Sequence, residues 1–295
     1  MIIDGTHKIH ELVYKKLIIV MTAMAFFITA PAIILAEDVK HIEDNSFLVE
    51  EAFNQEPGVI QHIQSWMYIY NAKEWFYTFT QEWPAPGQLN QLSYSIPVSR
   101  IHVYGTAGTG LGDVQLNYRV QAYHGAFVSF APRLSLLFPT GNYKRGLGSG
   151  SIGIQANLPL SIHLGPYFIT HLNAGGTVTP NARFLKEWRE TVRYTTLNFF
   201  FGGSIIWLAH KNFNLMLEGL CTSNEVPGNL RGIMREYSYY VNPGFRFAIN
   251  HESGLQIVPG LSFPVGFGSA RGDWGVYVYL SFEHEAWKPG PPPVK

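Results

Sequence analysis

The chain has 295 residues, of which 14% are charged and 15% are aromatic, and its formal net charge is zero. The balanced charge excludes the basic footprint of a nucleic-acid-binding protein, and the single cysteine, Cys221, excludes an intrachain disulfide framework. The eleven histidines form no His-Glu-x-x-His arrangement, so the sequence indicates neither a metal site nor a cofactor. Low charge, many aromatic residues and a mean hydropathy of +0.02 fit a membrane β-barrel, in which lipid-facing and lumen-facing residues average out.

Residues 1–36 are predicted to be a secretory signal peptide. Lys15 and Lys16 precede an apolar run over residues 17–36, and cleavage is expected after Ala36. A single transmembrane anchor is the alternative, because the run approaches the about 20 residues that such an anchor needs. Residues 37–58 do not alternate and form a short helical or irregular lead-in. This lead-in either plugs the lumen of a barrel or lies at its periplasmic mouth, with an ordered periplasmic tail as the simpler interpretation.

From residue 59 onward the chain repeats one pattern, in which apolar and polar residues alternate. In residues 150–164 the even positions from Ile152 to Leu164 are all apolar, and nearly all odd positions are polar or small. Alternate side chains of a strand point to opposite faces, so this stretch is a strand with one apolar face. It exceeds the about 9–11 residues with which a tilted strand crosses a bilayer. About twelve such strands are predicted, at residues 59–70, 75–83, 91–100, 113–123, 126–138, 150–164, 167–178, 195–207, 212–221, 237–249, 255–267 and 275–282.

The predicted connections alternate in length. Tight turns are expected at residues 124–125, 165–166, 209–211 and 250–254, and longer loops at residues 105–112, 140–149, 179–194 and 222–236. Short turns on one side and long loops on the other are typical of outer-membrane barrels. We therefore predict an all-β fold, a transmembrane antiparallel up-and-down barrel of about 12 strands (about 10–14), over residues 59–283. A Pro-rich tail follows at 284–295, both termini lie in the periplasm, and the protein is located in the bacterial outer membrane.

The closed barrel predicts which residues face the lumen. An open sheet edge in hydrocarbon leaves backbone groups without partners, so the strands must close on themselves. A charge on the lipid face costs about 2–4 kcal/mol, so charged residues within the strands should point inward. The polar strand faces then line the path of a solute, and the candidates are Gln115, Asn117, Arg119, Arg133, Gln155, Asn157, Glu218 and Arg246.

Six prolines interrupt the strand patterns: Pro97, Pro132, Pro159, Pro243, Pro259 and Pro264. Because proline removes a donor from the ladder, local bulges near the rims are one interpretation. Kinks that open gaps in the wall for lateral passage of apolar molecules are the other.

No catalytic residue is predicted. Ser161 and His163 share a strand face, but side chains two residues apart lie about 7 Å from each other, too far for a nucleophile–base hydrogen bond. Glu50, Glu51 and Glu56 are expected on a solvated face rather than in a cation site.

Three stretches together resemble the outer-membrane family named for the MetA pathway of phenol degradation. They are Glu50-Glu51-Ala52-Phe53-Asn54-Gln55-Glu56-Pro57-Gly58, then Gly110-Leu111-Gly112-Asp113, then Phe138-Pro139-Thr140-Gly141 with Gly146-Leu147-Gly148-Ser149-Gly150-Ser151. The resemblance implies a single barrel akin to channels for hydrophobic compounds, and it implies no catalytic residues.

The function predicted from the sequence is an outer-membrane channel or transporter for small hydrophobic or aromatic molecules. The stretch Asn54, Gln55, Glu56, Pro57 and Gly58 is predicted to act as a hatch. A structural or surface-interaction barrel with a filled lumen and no transport role is the alternative. The expected partners are outer-membrane lipid, the barrel-assembly machinery during biogenesis and small apolar solutes, with no nucleic acid, and the protein is expected to be a monomer.

Overall fold

A computed structural model describes residues 42, 46–103, 105–185, 190–228 and 232–287. The predicted signal peptide lies outside the described residues, as does the tail from residue 288. The described chain forms a closed antiparallel barrel of twelve strands, which confirms the predicted fold.

Each strand of the wall pairs with the next, and the last pairs with the first. The ladder between the first and the last strand runs from Val59 opposite Glu285 to Ile69 opposite Gly275, and it closes the barrel. Because both ends of the barrel chain are used in this ladder, no strand of the described wall is left as an open edge. The strands are β1 (Val59–Ile69), β2 (Glu74–Pro84), β3 (Asn90–Val103), β4 (Thr106–Leu111 and Val114–Val120, with Tyr123–His124 at its end), β5 (Val128–Phe130 and Arg133–Phe138), β6 (Gly153–Asn157 and Leu160–His163), β7 (Phe168–Leu185), β8 (Thr191–His210), β9 (Phe213–Pro227), β10 (Ile233–Phe247, with Ile249–Asn250 beyond it), β11 (Gln256–Ser262 and Val265–Gly268) and β12 (Gly275–Glu285).

The two faces of the wall have opposite chemistry, as the alternation predicts. The outward face exposes large apolar side chains, among them Leu134, Ile154, Phe201, Ile205, Leu217 and Val278. The inward face buries small and polar side chains, among them Gln91, Asn117, Ser161, Asn173, Ser204 and Ser281. An apolar outer band suits hydrocarbon, in which the closed ladder satisfies the backbone.

None of the helical residues described here belongs to a helix that is long and apolar enough to cross a membrane.

Three segments predicted as loops are largely strand, and these predictions are wrong. Strands β7 to β10 continue as paired strands through most of residues 179–194 and 222–236. The register of β7 shifts between Thr179 and Ala182, so the alternation breaks where the strand itself continues. The glycine-rich residues 105–112 likewise hold the first segment of β4, which pairs with β3.

The wall remains hydrogen-bonded at the prolines between strand segments. Pro132 and Pro159 separate the two segments of β5 and of β6. The carbonyl of Pro159 accepts from the N–H of Ala131 at 3.1 Å, and that of Pro132 accepts from Val120 at 3.0 Å. These bonds favour local bulges over lateral gaps at this part of the wall.

The predicted loop at residues 140–149 is confirmed, and Asp113 holds it against β4. One carboxylate oxygen of Asp113 accepts from the N–H of Gly141 at 3.0 Å. The other accepts from the N–H and the hydroxyl of Ser149, each at 2.7 Å. A Cβ on Gly148 would lie 2.3 Å from Asp113 Oδ1, so only glycine fits there. The second and third stretches of the family resemblance therefore meet at one carboxylate.

Candidate functional site

Residues 46–58, which precede β1, lie inside the barrel, and we name them the lumen segment. They form no helix, so the irregular alternative is correct. Ser46, Val49, Glu51 and Ala52 are each at most 1% exposed. The segment bonds to inner-face side chains from β3 and β4 on one side to β8 and β9 on the other. A segment that reaches opposite sides of a closed wall must cross the lumen.

The carboxylate of Glu218, on β9, holds the beginning of the lumen segment. Its Oε1 accepts hydrogen bonds from the backbone N–H groups of Leu48 at 2.9 Å and Val49 at 3.2 Å. Its Oε2 accepts from Asn242 Nδ2 at 2.6 Å. Glu218 is 1% exposed. A carboxylate can be buried this deeply only because donors surround it, and the N–H groups of Leu48 and Val49 in the lumen segment are among them.

An ion pair holds the middle of the lumen segment. Arg133 Nη2 lies 2.6 Å from Glu50 Oε1, and Arg133 Nε lies 3.0 Å from Glu50 Oε2. This is the two-point guanidinium–carboxylate geometry, which is stronger than a single contact. Arg133 also donates to Asn117 Oδ1 at 2.8 Å and to Gln155 Oε1 at 3.0 Å. Glu50 is therefore bound to the wall, although 31% of its side chain remains exposed, so the prediction of a solvated face holds only in part.

Arg119, on β4, binds the end of the lumen segment. Its Nε donates to Asn54 Oδ1 at 3.0 Å, and its Nη atoms donate to the backbone carbonyls of Glu51 and Phe53. Its Nη2 also lies 3.9 Å from the carboxylate of Glu51 and 4.0 Å from that of Glu82. Glu51 is 1% exposed, so the prediction of a solvated face is wrong for this residue.

Amide side chains of the wall bind the backbone of the lumen segment between these charges. Asn173 accepts from the N–H of Glu50 at 2.9 Å and donates to its carbonyl at 2.8 Å. Gln121 accepts from the N–H of Asn54 at 2.9 Å and donates to the carbonyl of Ala52 at 2.8 Å. Each amide thus satisfies one backbone donor and one backbone acceptor, which is what a neighbouring strand would do.

Two phenylalanine rings of the lumen segment are also buried. The ring centroid of Phe47 lies 5.6 Å from that of Tyr277 and 6.0 Å from that of Tyr279, both on β12. The ring centroid of Phe53 lies 6.0 to 6.3 Å from three histidine rings, those of His124, His163 and His171. The first ring therefore has an apolar and aromatic environment, and the second a nitrogen-rich one.

All eight predicted path residues lie on the inner face of the wall. Arg119, Arg133 and Glu218 contact the lumen segment directly, and Arg246 donates to the carbonyl of Ile42, farther back in the lead-in, at 3.4 Å. The remaining four lie near Arg133. Asn117 and Gln155 bind it, and Asn157 lies opposite it on the next strand and donates to Asn173 at 3.2 Å. Gln115 is two residues from Asn117 on the same strand. That a solute passes along them stays a prediction.

The predicted hatch residues are bound at one end and form a turn at the other. Asn54 and Gln55 bond to β3 and β4. The N–H of Val59 donates to the carbonyl of Glu56 at 3.1 Å, and Gly58 has a φ of +83°, a conformation that favours glycine. Whether these residues open as a hatch stays a prediction.

Sequence reasoning missed the wall residues that bind backbone rather than charge. Gln91, Gln121 and Asn173 all lie on polar faces of predicted strands, so the alternation pattern predicts that their side chains face the lumen. It does not predict which groups they bind, because nothing in residues 46–58 has the period of a strand.

Ser161 bonds to His171 rather than to His163. Its Oγ lies 2.8 Å from His171 Nδ1, and it also accepts from the N–H of Ala52 at 2.8 Å. Ser161 and His171 are 0% and 2% exposed, so the pair is a contact of the lumen segment in this state. Across the described ranges, no three His, Cys, Asp or Glu side chains are placed to hold a metal ion.

The fold and the lumen define the class of the protein: a closed twelve-stranded barrel of the kind found in outer-membrane channels and porins. An outer membrane channel from Pseudomonas putida F1 is similar, with a TM-score of 0.57 and 12% sequence identity over 84% of this chain and 99% of that chain. The NanC porin is similar with a TM-score of 0.50 and 9% identity over 75% of this chain and 98% of that chain. At these identities the similarity shows the fold alone.

No family model matches the chain, and no curated protein does. The resemblance to the phenol-degradation family therefore stays a prediction.

Proposed function

We propose that the protein is an outer-membrane channel for small hydrophobic or aromatic molecules, and that residues 46–58 hold it closed in this state. The observation that carries the proposal is how the lumen segment is bound. It is held by side chains of the wall and by one two-point ion pair, while the strand ladder closes without it. Each such bond contributes about 1 kcal/mol net, or about 1.5–3 kcal/mol where a charge takes part, because water replaces it on release. The ladder of the wall does not include the segment, which is what a segment that leaves the lumen of an intact barrel requires.

An apolar region within the polar lumen supports a hydrophobic solute. Ile63, Ile206, Met216 and Tyr279 form one buried cluster with Phe47, on inner faces of β1, β8, β9 and β12. A channel for ions or sugars gains nothing from such a surface, whereas an apolar solute loses water contact there. Of the eight path residues, Glu218 and Arg246 border this cluster, and the other six would line the polar side of the path.

The test is single-channel recording of the full-length, refolded protein in a planar bilayer, beside uptake of an apolar solute by cells with and without the gene. We expect brief openings from the wild type and frequent openings when the Arg133–Glu50 pair is removed by Glu50→Gln. Uptake of small aromatic solutes should fall when the gene is deleted. Unchanged uptake of every hydrophobic solute would refute the proposal.

A structural barrel with a filled lumen is the second candidate, and the burial of the lumen segment favours it. Glu51 and Ala52 are 1% and 0% exposed, as in a permanent core. In that case the wild type and Glu50→Gln would both be silent in the bilayer, although both are folded.

The proposal also includes an outer-membrane location, a monomeric state and assembly by the barrel-assembly machinery. Membrane fractionation tests the location, and mass measurements in detergent solution test the monomeric state.

A further inference from the structure

We infer that the recess now filled by the ring of Phe47 is a binding site for a single-ring aromatic molecule, which opens the lumen by displacing that ring. The inference rests on the proposed channel function and names its ligand class and site. In this state the lumen segment supplies its own side chain in place of the ligand.

Two glycines on neighbouring strands form the floor of the recess. A Cβ added to Gly244, on β10, would lie 2.5 Å from Phe47 Cε2, and one added to Gly260, on β11, would lie 2.6 Å from Phe47 Cε1. Real Cβ atoms do not approach a ring this closely, so any other residue at either position would occupy the space of the ring. The wall therefore has a flat depression of the width of a phenyl group where its neighbours on the inner face carry side chains.

The sides of the recess suit an aromatic ring rather than an aliphatic chain. Tyr277 and Tyr279 meet the Phe47 ring at interplanar angles of 59° and 74°. Tilted and edge-on contacts place the positive edge of one ring against the negative face of the other, and they add to the energy of area burial. Ile63, Ile206 and Met216 belong to the same buried cluster and supply apolar side chains, while the Cβ atoms of Ser262 and Arg246 lie beside the glycine floor.

The second buried ring of the lumen segment provides a contrast. Phe53 lies among His124, His163 and His171, whose ring nitrogens need hydrogen-bond partners. Two of these histidines, His124 and His171, bond to Ser129 and Ser161 of the wall, so the Phe53 ring already packs among satisfied polar groups. Among the wall glycines described here, only Gly244 and Gly260 place a ring of the lumen segment nearest to an added Cβ, and that ring is Phe47. The depression in the wall therefore marks the position of Phe47 and not that of Phe53.

Displacement of the Phe47 ring acts directly on the closed state. The next two residues, Leu48 and Val49, donate their backbone N–H groups to Glu218. A ring that leaves the recess carries this backbone with it, so the bonds to Glu218 lengthen or break. A ligand and the Phe47 ring therefore cannot occupy the recess together. Ligand binding then competes with retention of the lumen segment and shifts the protein toward the open state.

The test measures the binding of toluene to full-length variants in one detergent, and saturation-transfer NMR detects the bound toluene. Phe47→Ala empties the recess, and a ligand of about seven non-hydrogen atoms should bind it with a Kd on the order of 1 mM. The matched control is Phe47→Ala with Gly260→Val, which fills the recess with methyl groups in the same micelle. We expect at least a roughly tenfold weaker signal from the control and from the wild type, in which the tethered ring competes. Equal binding by Phe47→Ala and the double variant would overturn the inference.

Two further measurements separate the recess from the channel function. Toluene should raise the opening frequency of the wild type in a planar bilayer and have no such effect on the variant with both substitutions. Specific toluene binding by Phe47→Ala, without passage of any apolar solute, would refute the proposed function and keep the recess. Passage with no difference in toluene binding between the variants would refute the recess and keep the function. If Phe47→Ala fails to fold, Phe47→Leu is compared with the wild type for toluene-induced opening, since leucine fills the recess without the ring contacts. Half-maximal opening should then need less toluene, and an unchanged toluene concentration would overturn the inference.

Discussion

Replacing Glu50 by glutamine should open the lumen without unfolding the barrel. The carboxylate of Glu50 makes two contacts with Arg133, at 2.6 and 3.0 Å. Glutamine keeps the shape, but it removes the charge and turns one acceptor into a donor that faces the guanidinium. Arg133 keeps its bonds to Asn117 and Gln155, so the wall retains a partner for its charge.

The magnitude follows from the geometry and the exposure of the pair. Hydrogen bonds to charged groups contribute about 1.5–3 kcal/mol net. The side chain of Arg133 is 10% exposed and that of Glu50 is 31% exposed, so solvent screens part of the attraction. We therefore expect the substitution to destabilise the closed state by about 2 kcal/mol. The equilibrium constant for opening should then rise about 30-fold.

Chemical labelling measures this equilibrium in the folded barrel. Cys221 is the only cysteine of the chain, so Cys221→Ser provides a background without thiols. Val49→Cys then places one thiol at a position that is 1% exposed when the lumen segment is bound. With Glu50→Gln, the rate of modification by a water-soluble maleimide should rise about 30-fold, because labelling follows the population of the open form.

The matched control is Glu225→Gln. Glu225 Oε1 pairs with Arg235 Nη2 at 2.5 Å across β9 and β10. The substitution Glu225→Gln therefore removes a glutamate–arginine ion pair, made through one contact, from the wall and leaves the lumen segment untouched. It should leave the labelling rate at residue 49 unchanged. Equal rates for the wild type and Glu50→Gln, or equal increases for Glu50→Gln and Glu225→Gln, would refute the reasoning that this pair holds the segment.

Three further comparisons test other parts of the molecule. Glu218→Ala should increase labelling at residue 49 more than Glu218→Gln does, because alanine leaves two buried backbone N–H groups without an acceptor, at about 1–3 kcal/mol each. Ile205→Arg, on the exposed outer face of β8, should lower the free energy of unfolding by about 2–4 kcal/mol in bilayers. The control Thr191→Arg, at the end of the same strand, should be nearly neutral. Equal effects of the two substitutions would argue against a lipid-facing band at the height of Ile205. Asp113→Ala should speed proteolysis of the loop around Ser149, which loses its acceptor, and unchanged cleavage would show that this carboxylate does not hold the loop.

The wall of the barrel could be predicted from the sequence because its rule is local. A residue and its neighbour two positions away share a face, so Arg119, Arg133, Glu218 and Arg246 could be assigned to the lumen without knowing the shape of the barrel. The rule fails where the period is broken. At Thr179 and Ala182 the bulge shifts the register, and the glycines before Asp113 carry no side chains to alternate.

The arrangement of the lumen segment could not be predicted, for a physical reason. Its contacts join residues far apart in sequence, such as Leu48 with Glu218 and Glu50 with Arg133. They use backbone groups, which every residue has, so the segment needs no particular periodicity. Its acidic residues are predicted to be solvated because the sequence does not show that Arg133, 83 positions after Glu50, is the partner of that residue.

The turn that joins the lumen segment to β1 has a kinetic consequence. Val59 donates to Glu56, and the carbonyl of Gly58 accepts from the N–H of Ala286 at 2.8 Å, so both ends of the barrel chain fix this turn. A blocking segment tethered this closely has an effective concentration on the order of millimolar or more near its own site. Its rebinding is a first-order event within one molecule, independent of how many copies the membrane contains. Under the proposed opening of the lumen segment, the barrel therefore returns to the closed state without a second protein and without an energy source.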